Sequence, residues 1–126
     1  MQAAIDKVYD WAKSCQLEIA FRKCNILHLG FNNPTCPYLF GDTTIPDCQY
    51  VKDLGITISS DLRWSKHVEE ITAKAYARAN LILRGCVTND KQFLKKAFIT
   101  YVRPMLEYNT PVWSPFLKKD IDKLVR

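Results

Sequence analysis

The side chains that most often do chemistry are sparse in this sequence, and none forms a spacing typical of catalysis. His28 and His67 are the two histidines, and neither belongs to an H-x-x-x-H metal-binding pattern. Cys24 lies four residues before His28, which makes a Cys/His nucleophile pair one hypothesis for this position. The sequence contains no adjacent aspartates of the kind that two-metal chemistry requires. These residues predict no active site and no metal site.

The remaining acidic residues and the glycines favour structural roles. The spacing of Asp120 and Asp122 predicts that both lie on a helix surface. Glu70 and Lys74 lie four residues apart in a predicted helix and are expected to pair. The chain has four glycines and neither a G-x-x-x-x-G-K nor a G-x-G-x-x-G motif, so no phosphate-binding loop is expected.

The five cysteines are expected to be free thiols. Their number is odd and no two have C-x-x-C spacing, so neither a disulfide framework nor a structural zinc site is predicted. Buried, reduced thiols fit an intracellular location, cytoplasmic or nuclear. The N-terminal segment has no continuous apolar core and does not resemble a secretory signal. No apolar run approaches the roughly 20 residues of a membrane-spanning helix, so no membrane partner is expected.

Composition and charge describe a folded chain with one basic half. The 126 residues are 48% hydrophobic, which is enough to build a core. Residues 1–64 contain 6 Lys and Arg against 7 Asp and Glu, whereas residues 65–126 contain 12 against 6. The basic half could attract a polyanion such as nucleic acid, or it could simply be a solvated, lysine-rich helical surface. Charge alone leaves both interpretations open.

The elements that must position these residues change in type near residue 64. Before it, an amphipathic helix is predicted at residues 2–15, followed by short strands and a tight turn at Gly41-Asp42. Residues 51–58 are expected to form a strand in which Gly55 marks a bulge. The strand segments that the pattern predicts are residues 17–20, 25–30, 38–40, 43–45 and 51–58.

Helices are predicted after residue 64. Ser65 is the expected N-cap of a long helix, and Gly85 suits its end. The predicted apolar stripe of this helix consists of Val68, Ile71, Thr72, Ala75, Ala79, Ile82, Leu83 and Cys86. Thr88, Asn89 and Asp90 offer cap residues for a second helix, which is expected to be interrupted at Pro104, and a third helix is expected after Ser114. The helical spacing favours a core position for the aromatic residues Trp64, Tyr76, Phe93, Phe98, Tyr101, Tyr108, Trp113 and Phe116.

These patterns predict an α+β fold with two parts. Residues 1–64 form a helix and a small antiparallel β-sheet, and residues 65–126 form a helical bundle. The first helix starts without a capping residue and the last has no stop signal, so both ends are expected to be cut from a longer chain.

Three segments resemble reverse transcriptases of non-LTR, LINE- or jockey-like retrotransposons. Residues 52–58 and 62–67 read KDLGITI and LRWSKH, similar to the family's K-x-L-G-x-x-I strand and "LxWSxHI" helix start. Residues 101–108 and 111–113 read YVRPMLEY and PVW, similar to "VRPxLEYxxPVW" in the thumb. Residues 17–30 contain LEI, KC and LHLG, in the order of the palm segment that follows the catalytic aspartates.

This resemblance implies a palm remnant, a thumb-like bundle and an RNA–DNA template–primer as partner. The family's catalytic aspartates bind Mg²⁺ in a Y/F-x-D-D turn that this sequence lacks, so no cofactor and no polymerase activity are expected of this chain alone. The resemblance implies that Lys23 lies near nucleotide phosphates and acts as a proton donor there, although Ala20-Phe21-Arg22-Lys23 stands where the family usually has Asn-Pro-x-Lys. The residues expected to bind nucleic acid are Leu54, Gly55, Lys66, Lys74, Arg78, Arg84, Lys95 and Lys96.

Two other functions remain open at this stage. A domesticated, non-enzymatic module could bind protein or nucleic acid, and uncovered apolar helix faces would favour self-association. A fragment of an AlkB-type tRNA-modifying enzyme would need an H-x-D…H iron site, and the sequence has none.

Overall fold

The chain folds into an N-terminal helix, three two-stranded β-ladders and a group of C-terminal helices, so its fold class is α+β, as the sequence predicts. The computed structural model describes residues 1–30, 32–88 and 90–125. The helices and strands are α1 (Gln2–Ser14), β1 (Ile26–Leu27), β2 (Leu39–Phe40), β3 (Thr43–Thr44), β4 (Asp47–Cys48), β5 (Tyr50–Asp53), β6 (Ile56–Ser59), α2 (Ser65–Gly85), α3 (Lys91–Tyr101), α4 (Arg103–Glu107), α5 (Thr110–Trp113) and α6 (Lys118–Val125).

Helix α1 packs on the β2–β3 hairpin. The side-chain amide of Gln2 donates to the Leu39 carbonyl at 2.8 Å and accepts from the Leu39 N–H at 3.0 Å. The rings of Tyr9 and Phe40 lie 6.4 Å apart between the two elements. Gly41 takes a left-handed φ of 56° in the turn, which a glycine adopts without strain. The predicted tight turn at Gly41-Asp42 is therefore confirmed.

The other N-terminal strands differ from the predicted antiparallel sheet. β1 pairs with β4 in parallel, with Ile26 opposite Asp47. Residues 17–20, predicted as a possible strand, form none, and a short 3₁₀ helix at Phe21–Lys23 follows them. The period-2 pattern there was too short to fix a partner strand, and pairing determines whether such a segment becomes a strand.

The predicted single strand at residues 51–58 is wrong, because this segment is a hairpin. β5 and β6 pair antiparallel, with Asp53 opposite Ile56. Leu54 and Gly55 form the two-residue turn, with φ values of 45° and 88°. Two left-handed residues in a two-residue turn match the right-handed twist of a hairpin. Gly55 is therefore a turn residue and not a bulge.

The largest buried cluster joins this hairpin to the helices. It contains Ile56 of β6, Val68 and Ile71 of α2, and Trp113 of α5. Ile58, Trp64, Leu106 and Leu124 pack around it. The packing therefore joins the β5–β6 hairpin to the helices of residues 65–126. The division into two parts at residue 64 stays a prediction.

Helix α2 is covered in its first half and open in its second. Val68, Ile71 and Ala75 are buried as predicted, whereas Leu83, from the same predicted stripe, is 61% exposed. The helix ends at Gly85, in agreement with the sequence. Fewer side chains cover the apolar stripe toward this end.

Proline and capping residues divide the remaining helices. α3 ends at Tyr101 and α4 begins at Arg103, with Pro104 in its first turn, so the interruption predicted at this proline is confirmed. The Asp90 carboxylate accepts from the Gln92 N–H at 2.8 Å and caps α3, while Asn89 lies outside the described residues. The helix expected to start after Ser114 begins only at Lys118.

The cysteines are free, but the prediction that they are buried is wrong. Cys15 and Cys36 are exposed, and Cys24, Cys48 and Cys86 are half-buried. In the described ranges, no helix has the length and apolar character needed to cross a lipid bilayer.

Candidate nucleic-acid interface

The β5–β6 turn exposes the Leu54 side chain to solvent, and Tyr108 packs against the turn and hydrogen-bonds to it. The Leu54 side chain is 80% exposed. Its backbone adopts a left-handed conformation, which is unfavourable for a leucine. The Tyr108 hydroxyl donates to the Leu54 carbonyl at 3.2 Å. A Cβ on Gly55 would lie 3.6 Å from the Tyr108 ring, so this ring packs directly against the turn.

Ser65 does not cap α2, which corrects the sequence prediction. It is the first residue of the helix, and its hydroxyl donates to a carboxylate oxygen of Asp120 at 2.7 Å. Asp120 was expected on a helix surface but is 1% exposed. Its second oxygen, Oδ1, is buried and has no hydrogen-bond partner among the described residues. The carboxylate lies beside the first turn of α2, where the helix dipole favours negative charge.

A second polar contact holds α6 to α2. Lys123 donates to the Glu69 carboxylate at 2.8 Å. This hydrogen bond and the positive charge of Lys123 lower the pKa of Glu69. Asp120 and Lys123 are one turn apart on α6, so the two contacts fix the position of α6 on the start of α2.

His67 is a buried structural group at the same junction. Its Nδ1 accepts the Thr57 backbone N–H at 3.2 Å, and its ring lies 4.9 Å from the Trp113 ring in an edge-to-face arrangement. Burial lowers the pKa of His67, because desolvation disfavours the charged imidazolium. Nearby Glu70 opposes this shift, and Lys74 adds to it. The neutral ring is therefore the form that fits here.

Trp113 links His67 to the hairpin turn. Its indole Nε1–H donates to the Tyr108 carbonyl at 2.7 Å, and Tyr108 in turn binds Leu54. The two motif segments of the resemblance, which are separated in sequence by residues 68–100, therefore meet in one junction. We call the five residues Leu54, Ser65, His67, Tyr108 and Trp113 the hairpin–helix junction.

The predicted ion pair between Glu70 and Lys74 is wrong. Glu70 instead accepts a hydrogen bond from the Thr57 hydroxyl at 2.8 Å, which ties α2 to β6. Within the described ranges, the ion pairs are Arg63–Asp61, Arg103–Glu107 and Lys123–Glu69, and His28 Nε2 lies within hydrogen-bond distance of Asp47.

The six predicted nucleic-acid-binding cations are exposed, and none belongs to those ion pairs. Lys66 and Arg84 share one face of α2, about five turns and about 27 Å apart. Lys74 and Arg78 neighbour each other on a different side of the helix. The other two, Lys95 and Lys96, lie on α3. The cations are therefore spread over two helices and do not form a single row with the Leu54-Gly55 turn.

Most of the helical aromatic residues are not in the core, contrary to the prediction. Trp113 is buried and Trp64 is half-buried. The other six are exposed: Tyr76, Phe93, Phe98, Tyr101, Tyr108 and Phe116. Helical spacing identifies an apolar stripe but does not show whether another element covers it.

Lys23 lies outside the C-terminal helices that carry the predicted cations, and it lines a cavity of about 530 Å³. His28 also lines this cavity, and its Nε2 is 3.3 Å from an oxygen of Asp47. The Cys24 thiol donates to the Ala20 carbonyl at 3.6 Å. Cys24 and His28 thus bond to other groups, and nothing in their geometry supports a nucleophile pair.

The described residues bring no three metal-ligating side chains together. The expectation that this chain needs no cofactor stays a prediction.

Sequence reasoning missed Asp120 and the contact of Tyr108 with Leu54. Ser65 and Asp120 are 55 residues apart, and Leu54 and Tyr108 are 54 apart. No local sequence pattern predicts contacts between residues so far apart in the chain. The resemblance to the family motifs could have identified Leu54, Ser65 and Tyr108, because all three belong to the matched motifs.

Comparisons with known proteins leave the family open. An uncharacterized protein of Caenorhabditis elegans is 30% identical over 74 residues, which are 59% of this chain and 37% of that protein. The matched segment thus spans little more than a third of the relative's length. No protein-family profile matches the sequence, and no solved structure matches it.

Proposed function

We propose that this chain is a palm-and-thumb segment of the non-LTR reverse transcriptase type, and that it binds an RNA–DNA template–primer. The main support is the hairpin–helix junction, because motif residues from two distant segments contact one another there. An intracellular location, cytoplasmic or nuclear, belongs to the same proposal.

In this proposal, the Leu54-Gly55 turn approaches the primer terminus, and the exposed cations of α2 and α3 supply separate contacts to backbone phosphates. Lys and Arg side chains that neutralise phosphates give sequence-independent, salt-sensitive binding. The cations on α2 and α3 have no acidic partner among the described residues, so they are available for phosphates. Lys23 would lie near nucleotide phosphates, as the resemblance implies.

We assign no polymerase step to this chain. The 126 residues contain no Asp-Asp pair, and catalysis by the related polymerases depends on metal-binding aspartates. The proposed contribution is substrate binding alone.

Fluorescence anisotropy with a labelled RNA–DNA hybrid tests this proposal. We expect binding that weakens steeply between about 50 and about 200 mM salt. The double variant Lys95→Gln/Lys96→Gln should weaken binding and reduce the slope of log K against log salt by about 2.

Lys118→Gln/Lys119→Gln is the matched control, since it removes the same charge from exposed lysines outside the predicted set. It should retain most of the slope. Absence of binding at about 50 mM salt, or equal losses in both variants, would contradict the proposed surface.

A protein-interaction module is the second candidate function. The observation in its favour is the set of exposed apolar side chains on α2 and α3, among them Leu83 and Phe98. Such exposure is typical of surfaces that bind other proteins.

A further inference from the structure

An apolar groove runs along α2 from Thr72 to Leu83, between α3 and α6. It consists of two hollows of about 190 and about 160 Å³. Ala79, Phe98 and Val102 line both hollows, so the hollows adjoin each other. From Thr72 to Leu83 the groove follows α2 for about 17 Å, which is about three helical turns.

The groove is lined mainly by apolar side chains and is open to solvent. Phe98 and Leu83 on its walls are 47% and 61% exposed. Val125 at the α6 end is 80% exposed. In the hollow nearer to Leu94, no lining residue carries a charge or a side-chain hydrogen-bond donor. Nucleic acid needs cationic or hydrogen-bonding groups for its phosphates, so this lining fits apolar side chains better.

The surroundings of the groove are strongly basic. Residues 71–106 contain seven Lys and Arg but one acidic residue, Asp90. Lys91 and Lys95 each precede a groove residue, Leu94 or Phe98, by three positions, which places each lysine beside the groove wall. Neither lysine belongs to an ion pair of the described residues. A partner for this groove should therefore carry carboxylates beside its apolar side chains.

We propose that this groove binds an amphipathic, acidic helix of a partner protein. Apolar side chains at i, i+3 or i+4, and i+7 would enter the hollows between α2, α3 and α6. Glutamates or aspartates flanking them would pair with Lys91 and Lys95. This surface and its partner go beyond the proposed nucleic-acid function and do not depend on it.

A designed peptide serves as the probe. It is a helix of roughly four turns with leucines at the groove spacing and glutamates on both flanks. Two control peptides have lysines in place of the glutamates, or the same composition with the leucines shuffled. We expect the glutamate peptide to bind the full chain about tenfold more tightly than either control.

Variants of the chain locate the binding. Leu83→Ser and Phe98→Ser should each weaken peptide binding about tenfold. Leu81→Ser is the matched control: Leu81 lies on the same helix, is 68% exposed and lines neither hollow. Lys91→Glu/Lys95→Glu should abolish the preference for the glutamate peptide. Circular dichroism checks that each variant retains its helices.

Four outcomes would overturn the inference. Equal binding of the three peptides, or equal effects of Leu81→Ser and Leu83→Ser, would remove the groove as a specific site. Loss of RNA–DNA binding in Leu83→Ser, with peptide binding unchanged, would assign the groove to nucleic acid. A stable dimer that Leu83→Ser dissociates, without peptide binding, would assign it to a second copy of the chain. A failure of RNA–DNA binding alone would leave the inference intact.

Discussion

His67 shows how a residue with chemical potential can have a structural role. Its ring accepts the Thr57 N–H and packs against Trp113, and it is 2% exposed. Protonation would replace the Nδ1 acceptor with a donor that faces another N–H. The imidazole of His67 therefore stabilises the contact between β6 and α2.

The lowered pKa of His67 predicts that acid destabilises the fold. Below the unfolded-state pKa of about 6.5, the unfolded chain takes up a proton that the folded chain does not. The free energy of unfolding should therefore decrease as the pH falls from 7 to about 5. Urea unfolding measured at several pH values checks this.

His67→Asn is the informative variant for this prediction, because an amide oxygen can still accept the Thr57 N–H without titrating near pH 6. Its stability should depend less on pH over the same range. Parallel curves for the variant and the natural chain would show that His67 does not cause the acid sensitivity.

Among the elements, the β5–β6 hairpin combines a favourable turn type with an unfavourable residue. Two-residue turns with two left-handed residues prefer Asn-Gly or Asp-Gly, yet Leu54 occupies the first position. A leucine in this conformation costs about 1 kcal/mol or more. Strained residues often lie at binding sites, which agrees with the proposed contact between this turn and a primer end.

Leu54→Asn should therefore stabilise the fold by about 1 kcal/mol. Thermal unfolding measures this change. Leu81→Asn is the control, because Leu81 is an exposed residue in the middle of α2 and asparagine is a weaker helix former. A loss of stability in Leu54→Asn comparable to that of the control would contradict the strain at the turn.

The elements that the sequence predicted correctly are those with local signals. The β2–β3 turn follows from Gly41-Asp42, the end of α2 from Gly85, and the break before α4 from Pro104. The β5–β6 hairpin was missed because Leu54 is not a typical turn residue. The start of α6 was missed because Ser114-Pro115 carried a local signal that the chain does not use.

At the scale of the molecule, the chain exposes more surface than a protein of its mass usually does. Its accessible surface is 9964 Å², whereas about 6,900 Å² is typical for this mass. Among residues 1–30 and 32–48, Ala12 and Ile45 are the buried apolar side chains. The larger buried cluster lies entirely between Ile56 and Trp113. Self-association through exposed apolar faces stays a prediction that this surface supports.

This distribution predicts unequal protection against hydrogen exchange. Amides of β6 and the first half of α2 should exchange most slowly, because they surround the buried cluster. Amides of α1 and the β2–β3 hairpin should exchange faster, since few buried side chains hold them. Uniform protection along the chain, measured by mass spectrometry after native-state exchange, would show that the two parts unfold as one unit.

The candidate site could be predicted only in part from the sequence. The exposure of the six cations follows from their helical spacing, and the motif letters identified Leu54, Ser65 and Tyr108. The burial of Asp120 could not be predicted, because it depends on how α6 docks on α2, 55 residues earlier in the chain. The exposure of Phe98 and Leu83 has the same cause, since a local pattern does not show what covers a stripe.

Trp113 gives this molecule its own optical signal. The chain has three tryptophans, and Trp113 is the fully buried one, at 1% exposure, while Trp11 is 59% exposed. Its indole touches His67 and hydrogen-bonds to the residue that holds the Leu54 turn. Displacement of that turn by a bound molecule would change the indole's surroundings and therefore its emission. The fluorescence of an unlabelled sample would then report events at the tip of the hairpin.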